Sequence, residues 1–151
     1  MRFFSSTFTN PIDKKGRVSI PAPFRKVLEQ EAQPGLWLIP QVNGEPAVDG
    51  LGAEQFGRIA DALASMNPFD RVNRALTAKT IGRAVQVTID DTGRIVLPEP
   101  LRELLELDDK VLFVGMIHTF QIWKPETHAA WQEEIEATAL ANTDRLPWGR
   151  T

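Results

Sequence analysis

The sequence predicts an α+β fold made of two copies of one unit, each a short β-hairpin followed by helices. A stretch near the N-terminus is repeated 77 residues further on in the same register, which indicates an internal duplication. Each copy contains a tight-turn signature between two apolar segments rich in β-branched residues. The charge also alternates in blocks along the chain, in step with the duplication. These three observations together predict the two-copy organisation.

The duplication is visible by direct alignment. Residues 12–28 read IDKKGRVSIPAPFRKVL, and residues 89–105 read IDDTGRIVLPEPLRELL. Eight of these 17 positions are identical, and four more exchange one apolar residue for another. Identity at a constant register is typical of a repeated structural unit.

Each copy carries the residues of a closed turn. Asp13 and Gly16 stand at the first and fourth positions of one turn, and Asp90 and Gly93 stand at the same positions of the other. This is the residue preference of a type I turn, and glycine accepts the positive φ that closes a bulged hairpin. These four residues are therefore predicted to shape the two turns.

Strands and a short helix are predicted around each turn. The strands that flank the turns are predicted within residues 8–12, 18–20, 85–89 and 95–97. Pro-x-Pro follows in both copies, and proline is favoured in the first turn of a helix. Apolar residues at i, i+3 and i+4 then give each helix one apolar stripe, namely Phe24, Val27 and Leu28 in the first copy and Leu101, Leu104 and Leu105 in the second.

Further strands and helices complete each copy. Residues 36–39 and 111–114 are apolar runs of strand length, with residues 45–48 and 119–123 as their predicted hairpin partners. Apolar spacing predicts helices over residues 56–66 and 125–139, and a further helical piece from about 69 to 80 is expected to link the copies. The predicted organisation is a first repeat at 1–53, a helical connection at 54–80, a second repeat at 81–124, a C-terminal helix at 125–141 and a flexible tail at 142–151.

The net charge of −3 is unevenly distributed. Residues 1–30 sum to +4, residues 31–70 to −5, residues 71–102 to +3 and residues 103–151 to −5. The local potential steers a polyanion, so the acidic total does not exclude a nucleic-acid partner.

The composition excludes several classes of protein. The chain has no cysteine, which excludes disulfides, thiol nucleophiles and cysteine-ligated metals. No motif for a nucleotide, an activated nucleophile or a histidine-ligated metal is present, so neither an enzyme nor a cofactor is predicted. No run approaches the roughly 18–20 apolar residues of a membrane helix, and no signal peptide is recognisable. A cytoplasmic location is therefore expected.

The motif Asp-x-x-x-Arg, present as Asp13 to Arg17 and again as Asp90 to Arg94, resembles that of the SpoVT/AbrB swapped-hairpin DNA-binding fold. Each motif runs on into Val/Ile-x-Ile/Leu-Pro-x-x-Phe/Leu-Arg. Two such units 77 residues apart in 151 residues are similar to the MraZ family, regulators of the bacterial division and cell-wall gene cluster. The resemblance covers nearly the whole chain.

The resemblance implies tandem SpoVT/AbrB-like repeats and a pseudo-two-fold, dimer-like arrangement within each chain. It also implies a homo-oligomeric ring of about eight or more subunits. The implied partner is double-stranded DNA at the promoter of the protein's own operon, read as repeated boxes. The implied location is the cytoplasm, in association with the nucleoid.

Three cations at the first turn are the leading candidates for DNA contact. Lys14, Lys15 and Arg17 are crowded at a tight turn, where they can neutralise phosphates or, for arginine, grip the edge of guanine. Asp91 and Thr92 replace the two lysines in the second turn, so we expect the first copy to dominate binding.

The other basic residues admit more than one interpretation. Arg94 either contacts a phosphate or forms an internal ion pair with Asp90. Arg83 is a candidate for extending the basic face, together with Arg74 and Lys79. Surface or subunit-packing positions are expected for Arg25 and Arg102.

Two other functions remain open at the level of sequence. The same hairpin occurs in antitoxin-type DNA-binding modules, although a second full repeat stands here where such modules carry a long tail. A ring-assembly protein that binds a protein partner through its acidic helices, and no DNA, is also compatible with the charge pattern.

Overall fold

A computed structural model describes residues 3–148 of the chain. The strands are β1 (Thr7–Pro11), β2 (Arg17–Ser19), β3 (Leu36–Pro40), β4 (Val48–Gly52), β5 (Val85–Val87), β6 (Arg94–Val96), β7 (Lys110–Gly115) and β8 (Phe120–Trp123). The helices are α1 (Ala22–Glu29), α2 (Ala53–Ala64), α3 (Arg71–Thr80), α4 (Glu99–Leu105) and α5 (Pro125–Ala141). Between residues 3 and 148, no helix combines the length and the apolar character needed to cross a membrane.

The α+β prediction is confirmed, because every strand pair is antiparallel and a helix follows each successive pair of strands along the chain. Six strands form one sheet in the order β1-β7-β8-β4-β3-β5, and β2 pairs with β6 as a separate two-stranded ribbon. Strands β1, β3 and β4 of the first copy correspond to β5, β7 and β8 of the second, so equivalent strands occupy equivalent places when the sheet is followed from either edge. The chain therefore has an internal pseudo-two-fold axis that passes between β4 and β8.

The two copies exchange strands instead of forming independent hairpins. Within the first copy, the pairing across the turn is limited to a bridge between Ile12 and Val18. Strand β1 pairs with β7 along its whole length, and β5 pairs with β3 in the equivalent way. Each copy therefore depends on the other for the backbone hydrogen bonds of its first strand.

The fourth strand of the first copy, β4, is not where it was predicted from the sequence. The expected partner segment, residues 45–48, is largely a loop, and β4 begins only at Val48. Pro46 cannot donate a ladder hydrogen bond, and Gly44 turns the chain with a φ of +89°. Strand β4 itself contains Gly50, where the ring of Phe120 occupies the space that a side chain would need.

Proline or a capping aspartate marks the start of three of the helices. Pro21 and Pro98 precede α1 and α4, and each of these helices has a further proline in its first turn. Helix α3 begins after Asp70, whose carboxylate accepts hydrogen bonds from the N–H groups of Val72 (2.8 Å) and Asn73 (3.3 Å). An aspartate in this position stabilises a helix start.

One core is shared by the two copies. The fully buried ring of Phe24, on α1, lies 5.3 Å from the ring of Phe4 and 5.0 Å from that of Phe120. Phe8 and Phe113 complete the aromatic cluster around it. Because Phe113 and Phe120 come from the second copy, the apolar burial that stabilises α1 is supplied by both halves of the chain.

The other face of the sheet is covered by α2 and α5. Trp37 stacks on Phe56 of α2 with 3.9 Å between ring centroids, and Trp123 packs near Trp131 of α5. At the pseudo-two-fold axis, Asp49 on β4 lies directly opposite Gln121 on β8. Burial raises the pKa of Asp49 to about 6, although a hydrogen bond from Gln41 opposes the shift.

Candidate nucleic-acid interface

The ribbon of β2 and β6 presents one face to the core and the other to solvent. Val18 pairs with Ile95 at its centre, and both side chains are buried. Because neighbouring residues on a strand point to opposite faces, the residues on either side of this pair face outward. The ribbon is thus anchored through the middle of each strand.

The outer face carries an arginine from each copy. Arg17 lies opposite Val96, and Arg94 lies opposite Ser19. Directly opposed residues of an antiparallel pair share a face, so these four side chains form one patch across the pseudo-two-fold axis. Ser19 and Val96 were not predicted as site residues, although the alternation of side chains along each strand identifies them.

The first turn is closed by Asp13. Its Oδ1 accepts hydrogen bonds from the N–H groups of Lys15 and Arg17, each at 2.9 Å, and its carbonyl accepts one from Gly16 at 3.0 Å. Gly16 has a φ of +87°, a conformation that glycine adopts without a steric penalty. Lys14 and Lys15 are exposed at the tip.

The second turn repeats this arrangement. Asp90 accepts hydrogen bonds from the N–H groups of Thr92 (2.9 Å) and Arg94 (3.0 Å), and also from the Thr92 hydroxyl (2.7 Å). Gly93 has a φ of +82° and donates to the Asp90 carbonyl. The two turns therefore have the same backbone geometry with different side chains at their tips.

Hydrogen bonds to the charged form keep both aspartates ionised. The backbone N–H of Arg17, followed by its guanidinium, lowers the pKa of Asp13. The backbone N–H of Arg94, followed by the Thr92 hydroxyl, lowers the pKa of Asp90 to about 2. Each carboxylate is thus a permanent part of its turn at neutral pH.

Each arginine of the ribbon is oriented by its own turn. The Nε atom of Arg17 lies 2.6 Å from Oδ2 of Asp13. The Nε atom of Arg94 lies 3.0 Å from the Thr92 hydroxyl and 3.6 Å from the Asp90 carboxylate. In the part of the chain that the structure describes, neither guanidinium uses its Nη groups in a hydrogen bond, so these donors are available to a ligand.

The two tips differ in charge. Asp13, Lys14, Lys15 and Arg17 sum to +2, whereas Asp90, Asp91 and Arg94 sum to −1. This charge difference, which favours the first copy, lies between two turns at opposite ends of the ribbon.

Arg83 is not brought to this patch. It is exposed in a 3₁₀ turn before β5, whereas the Asp90 turn follows β5 at the opposite end of that strand. Its contact with DNA remains a prediction from sequence. Within residues 3–148, no group of three or more His, Cys, Asp or Glu side chains is arranged to hold a metal ion.

The chain is similar to known bacterial regulators over most of its length. A family model described as "MraZ protein, putative antitoxin-like" matches residues 80–146. A protein of Gluconobacter oxydans named transcriptional regulator MraZ is 38% identical over 150 residues, covering 97% of this chain and 92% of that protein. Proteins of the same name from Xanthobacter autotrophicus and Rickettsia bellii are 42% and 35% identical, covering 82% and 95% of this chain and 78% and 94% of theirs.

Proposed function

The chain belongs to the MraZ family of transcriptional regulators, and from that premise we propose that it binds double-stranded DNA through the outer face of the β2–β6 ribbon. The observation that carries the proposal is the joint placement of Arg17 and Arg94, one from each copy, on a single solvent-facing patch. The target is the promoter of the protein's own operon, read as repeated short boxes. A protein that binds promoters in this way is associated with the nucleoid.

A two-stranded antiparallel ribbon is a known type of DNA-reading element. The major groove admits a two-stranded antiparallel ribbon, and arginine recognises the O6 and N7 atoms of guanine through two donors. Val96 is 54% exposed beside Arg17, and apolar groups of this kind contact the methyl of thymine. Lys14 and Lys15 lie at the edge of the patch, where they can neutralise phosphates.

Replacing Arg17 by alanine is expected to reduce affinity for the upstream DNA by about tenfold to a hundredfold, the range for one lost bidentate contact. Arg94→Ala is expected to lose less, because its turn carries a net negative charge. Fluorescence anisotropy on the protein's own upstream DNA and on a scrambled duplex, at two salt concentrations, measures both effects.

Arg58→Ala, which removes an exposed arginine from α2, is the matched control and should bind like the wild type. Equal losses from Arg17→Ala and Arg94→Ala would contradict the dominance of the first turn. If the wild-type protein bound no DNA, the proposed function would be wrong, and a ring that binds a protein partner would become the leading alternative.

We also propose that copies of the chain associate head to tail, α5 of one against α3 of the next. Helix α3 carries three basic residues and no acidic one, whereas α5 carries four glutamates and no lysine or arginine. Each helix also exposes large apolar side chains, with Val72 at 66% and Leu140 at 76%. The two helix surfaces are complementary, because both expose apolar side chains and their charged side chains have opposite sign.

A groove between α2 and α3 offers a place for apolar side chains of α5. It has a volume of about 420 Å³ and is lined mainly by apolar atoms, including those of Leu63 and Met66. A heterologous contact of this type closes into a ring when its rotation divides a full turn. A ring presents many ribbons to repeated boxes, so weak individual contacts are strengthened by effective concentration.

Val72→Glu and Leu140→Glu are each expected to reduce the oligomer to smaller species, because each places a charge in the contact. Size-exclusion chromatography with light scattering measures the mass. Val42→Glu, at a valine that is 47% exposed elsewhere on the surface, is the matched control and should leave the mass unchanged.

A mixture of the two variants separates a head-to-tail contact from a symmetric one. Each variant keeps one intact surface, so an equimolar mixture of Val72→Glu and Leu140→Glu should form a one-to-one dimer that grows no further. A wild-type protein that is monomeric at micromolar concentration, or a mixture that stays monomeric, contradicts the head-to-tail contact.

A further inference from the structure

We propose that Arg25 and Arg102 are positioning residues, each holding the DNA-binding turn of the opposite repeat. The inference rests on the proposed function, because it assigns the control of those same turns. It concerns two side chains that lie outside the ribbon and that the sequence analysis placed on the surface or in subunit packing. Both are partly buried.

Arg102 of α4 covers the first turn. Its Nε donates a hydrogen bond to the Leu97 carbonyl at 2.9 Å, and its Nη1 donates to the carbonyl of Lys14 at 3.4 Å. A methyl group added to Gly16 would come 2.8 Å from the Arg102 Nε, so the guanidinium is packed closely against that glycine. Residue 102 thus contacts a turn that is 88 residues away in sequence.

Arg25 of α1 packs against the glycine of the second turn. Its Nη1 donates to the Ile20 carbonyl at 3.0 Å. A methyl group added to Gly93 would come 2.8 Å from the Arg25 Cζ. Each arginine therefore donates a hydrogen bond to the carbonyl that follows the second strand of its own copy, and packs against the turn glycine of the other copy.

Backbone hydrogen bonds run alongside both contacts. The N–H of Leu97 donates to the Gly16 carbonyl at 2.8 Å, and the N–H of Ile20 donates to the Gly93 carbonyl at 2.9 Å. Glycine has large conformational freedom in the absence of such restraints. The crossed arginines therefore limit the freedom of the segments that present Lys14, Lys15 and Arg17 on one side, and Arg94 on the other.

A direct phosphate contact is the competing role for these arginines, and salt dependence distinguishes it. A lost phosphate contact lowers the slope of log K against log salt by about 0.9. A loosened turn lowers affinity while the same phosphates are neutralised in the complex, so the slope is unchanged. Lysine keeps the positive charge but lacks the flat, forked donor geometry of arginine. Arg102→Lys should therefore bind DNA more tightly than Arg102→Ala only if the charge itself contacts a phosphate.

The experiment uses the full chain as Arg102→Ala, Arg102→Lys and Arg25→Ala beside the wild type. Arg102→Ala is expected to lower DNA affinity by about tenfold with an unchanged salt slope, and Arg102→Lys should not restore it. Arg25→Ala should lose less, because the second turn contributes less to binding. Circular dichroism and light scattering verify that fold and oligomeric mass are retained.

Amide hydrogen exchange on the protein without DNA supplies the second readout. Arg102→Ala should speed exchange at Lys15 and Arg17, in the first copy, and leave Thr92 and Arg94 unchanged; Arg25→Ala should do the reverse. Faster exchange in neither turn, or a reduced salt slope with rescue by lysine, overturns the proposal. Because exchange needs no DNA, a wild-type protein that fails to bind DNA would overturn the proposed function and leave this inference to be decided by exchange.

Discussion

Replacing Phe24 by alanine is expected to lower the free energy of unfolding by about 3–5 kcal/mol, the range for removing a fully buried phenylalanine. Phe24 is completely buried and packs against aromatic rings from both copies. The loss should affect the whole chain in one transition, because the two copies share this core and exchange their first strands. Denaturant unfolding at fixed protein concentration, followed by circular dichroism, measures it.

Phe3→Ala is the matched control for Phe24→Ala. Phe3 is 51% exposed, and an exposed side chain of this type contributes little, so a change in the free energy of unfolding within about 0.5 kcal/mol is expected. Hydrogen exchange in β3 and β7 tests whether the halves unfold together. Loss of protection in β3 at a lower denaturant concentration than in β7 would contradict a shared core.

Replacing Asp49 by asparagine is expected to stabilise the chain above pH 7 by up to about 3 kcal/mol, from the shift of the Asp49 pKa from 3.8 to about 6 at 1.36 kcal/mol per unit. Between about pH 4 and pH 6, the Asp49 carboxyl keeps its proton in the folded chain and has lost it in the unfolded chain. The contribution of Asp49 to stability is therefore fully present below about pH 4 and is lost as the pH rises through about 6.

The stabilisation by Asp49→Asn should therefore shrink as the pH falls towards 4. Denaturant unfolding of the variant and the wild type across pH 4–8 measures the difference, and the other titrating groups cancel in it. Asp61→Asn, at an exposed residue of α2, is the control and should show no such trend. A stability difference independent of pH would sink the assignment of the raised pKa to burial at the β4–β8 axis.

The local parts of the candidate site could be derived from the sequence, because their contacts join close neighbours. The hydrogen bonds that shape the first turn connect Asp13 to Lys15, Gly16 and Arg17, within four positions of the chain. The residue types at the first and fourth positions are enough to specify such a turn. The starts of α1 and α4 after proline are local in the same sense.

The association of Arg17 with Arg94 required the tertiary structure. Both arginines are visible in the repeat, but the register that puts them on one outer face depends on the pairing of Val18 with Ile95 across the two copies. The contacts of Arg25 and Arg102 are equally remote, since each side chain packs against a turn of the other copy. Arg83 is close to Arg94 in sequence, yet it lies at the other end of β5 and away from the patch.

By itself, the sequence determined the duplication, the α+β class, the two Asp–Gly turns and the positions of most helices. These features depend on identity at constant register or on contacts between residues close together in the chain, and both can be derived from the order of the residues. The tertiary structure alone decided which strands pair, that β4 uses a glycine-rich segment, and which side chains meet across the pseudo-two-fold axis. The physical reason is that strand hydrogen bonds form between distant segments, and several apolar runs of this chain could offer the same donors and acceptors. Only joint packing around residues such as Phe24 and Phe120 selects one pairing, and Gly50 in β4 is tolerated because the Phe120 ring fills the space that a side chain would need.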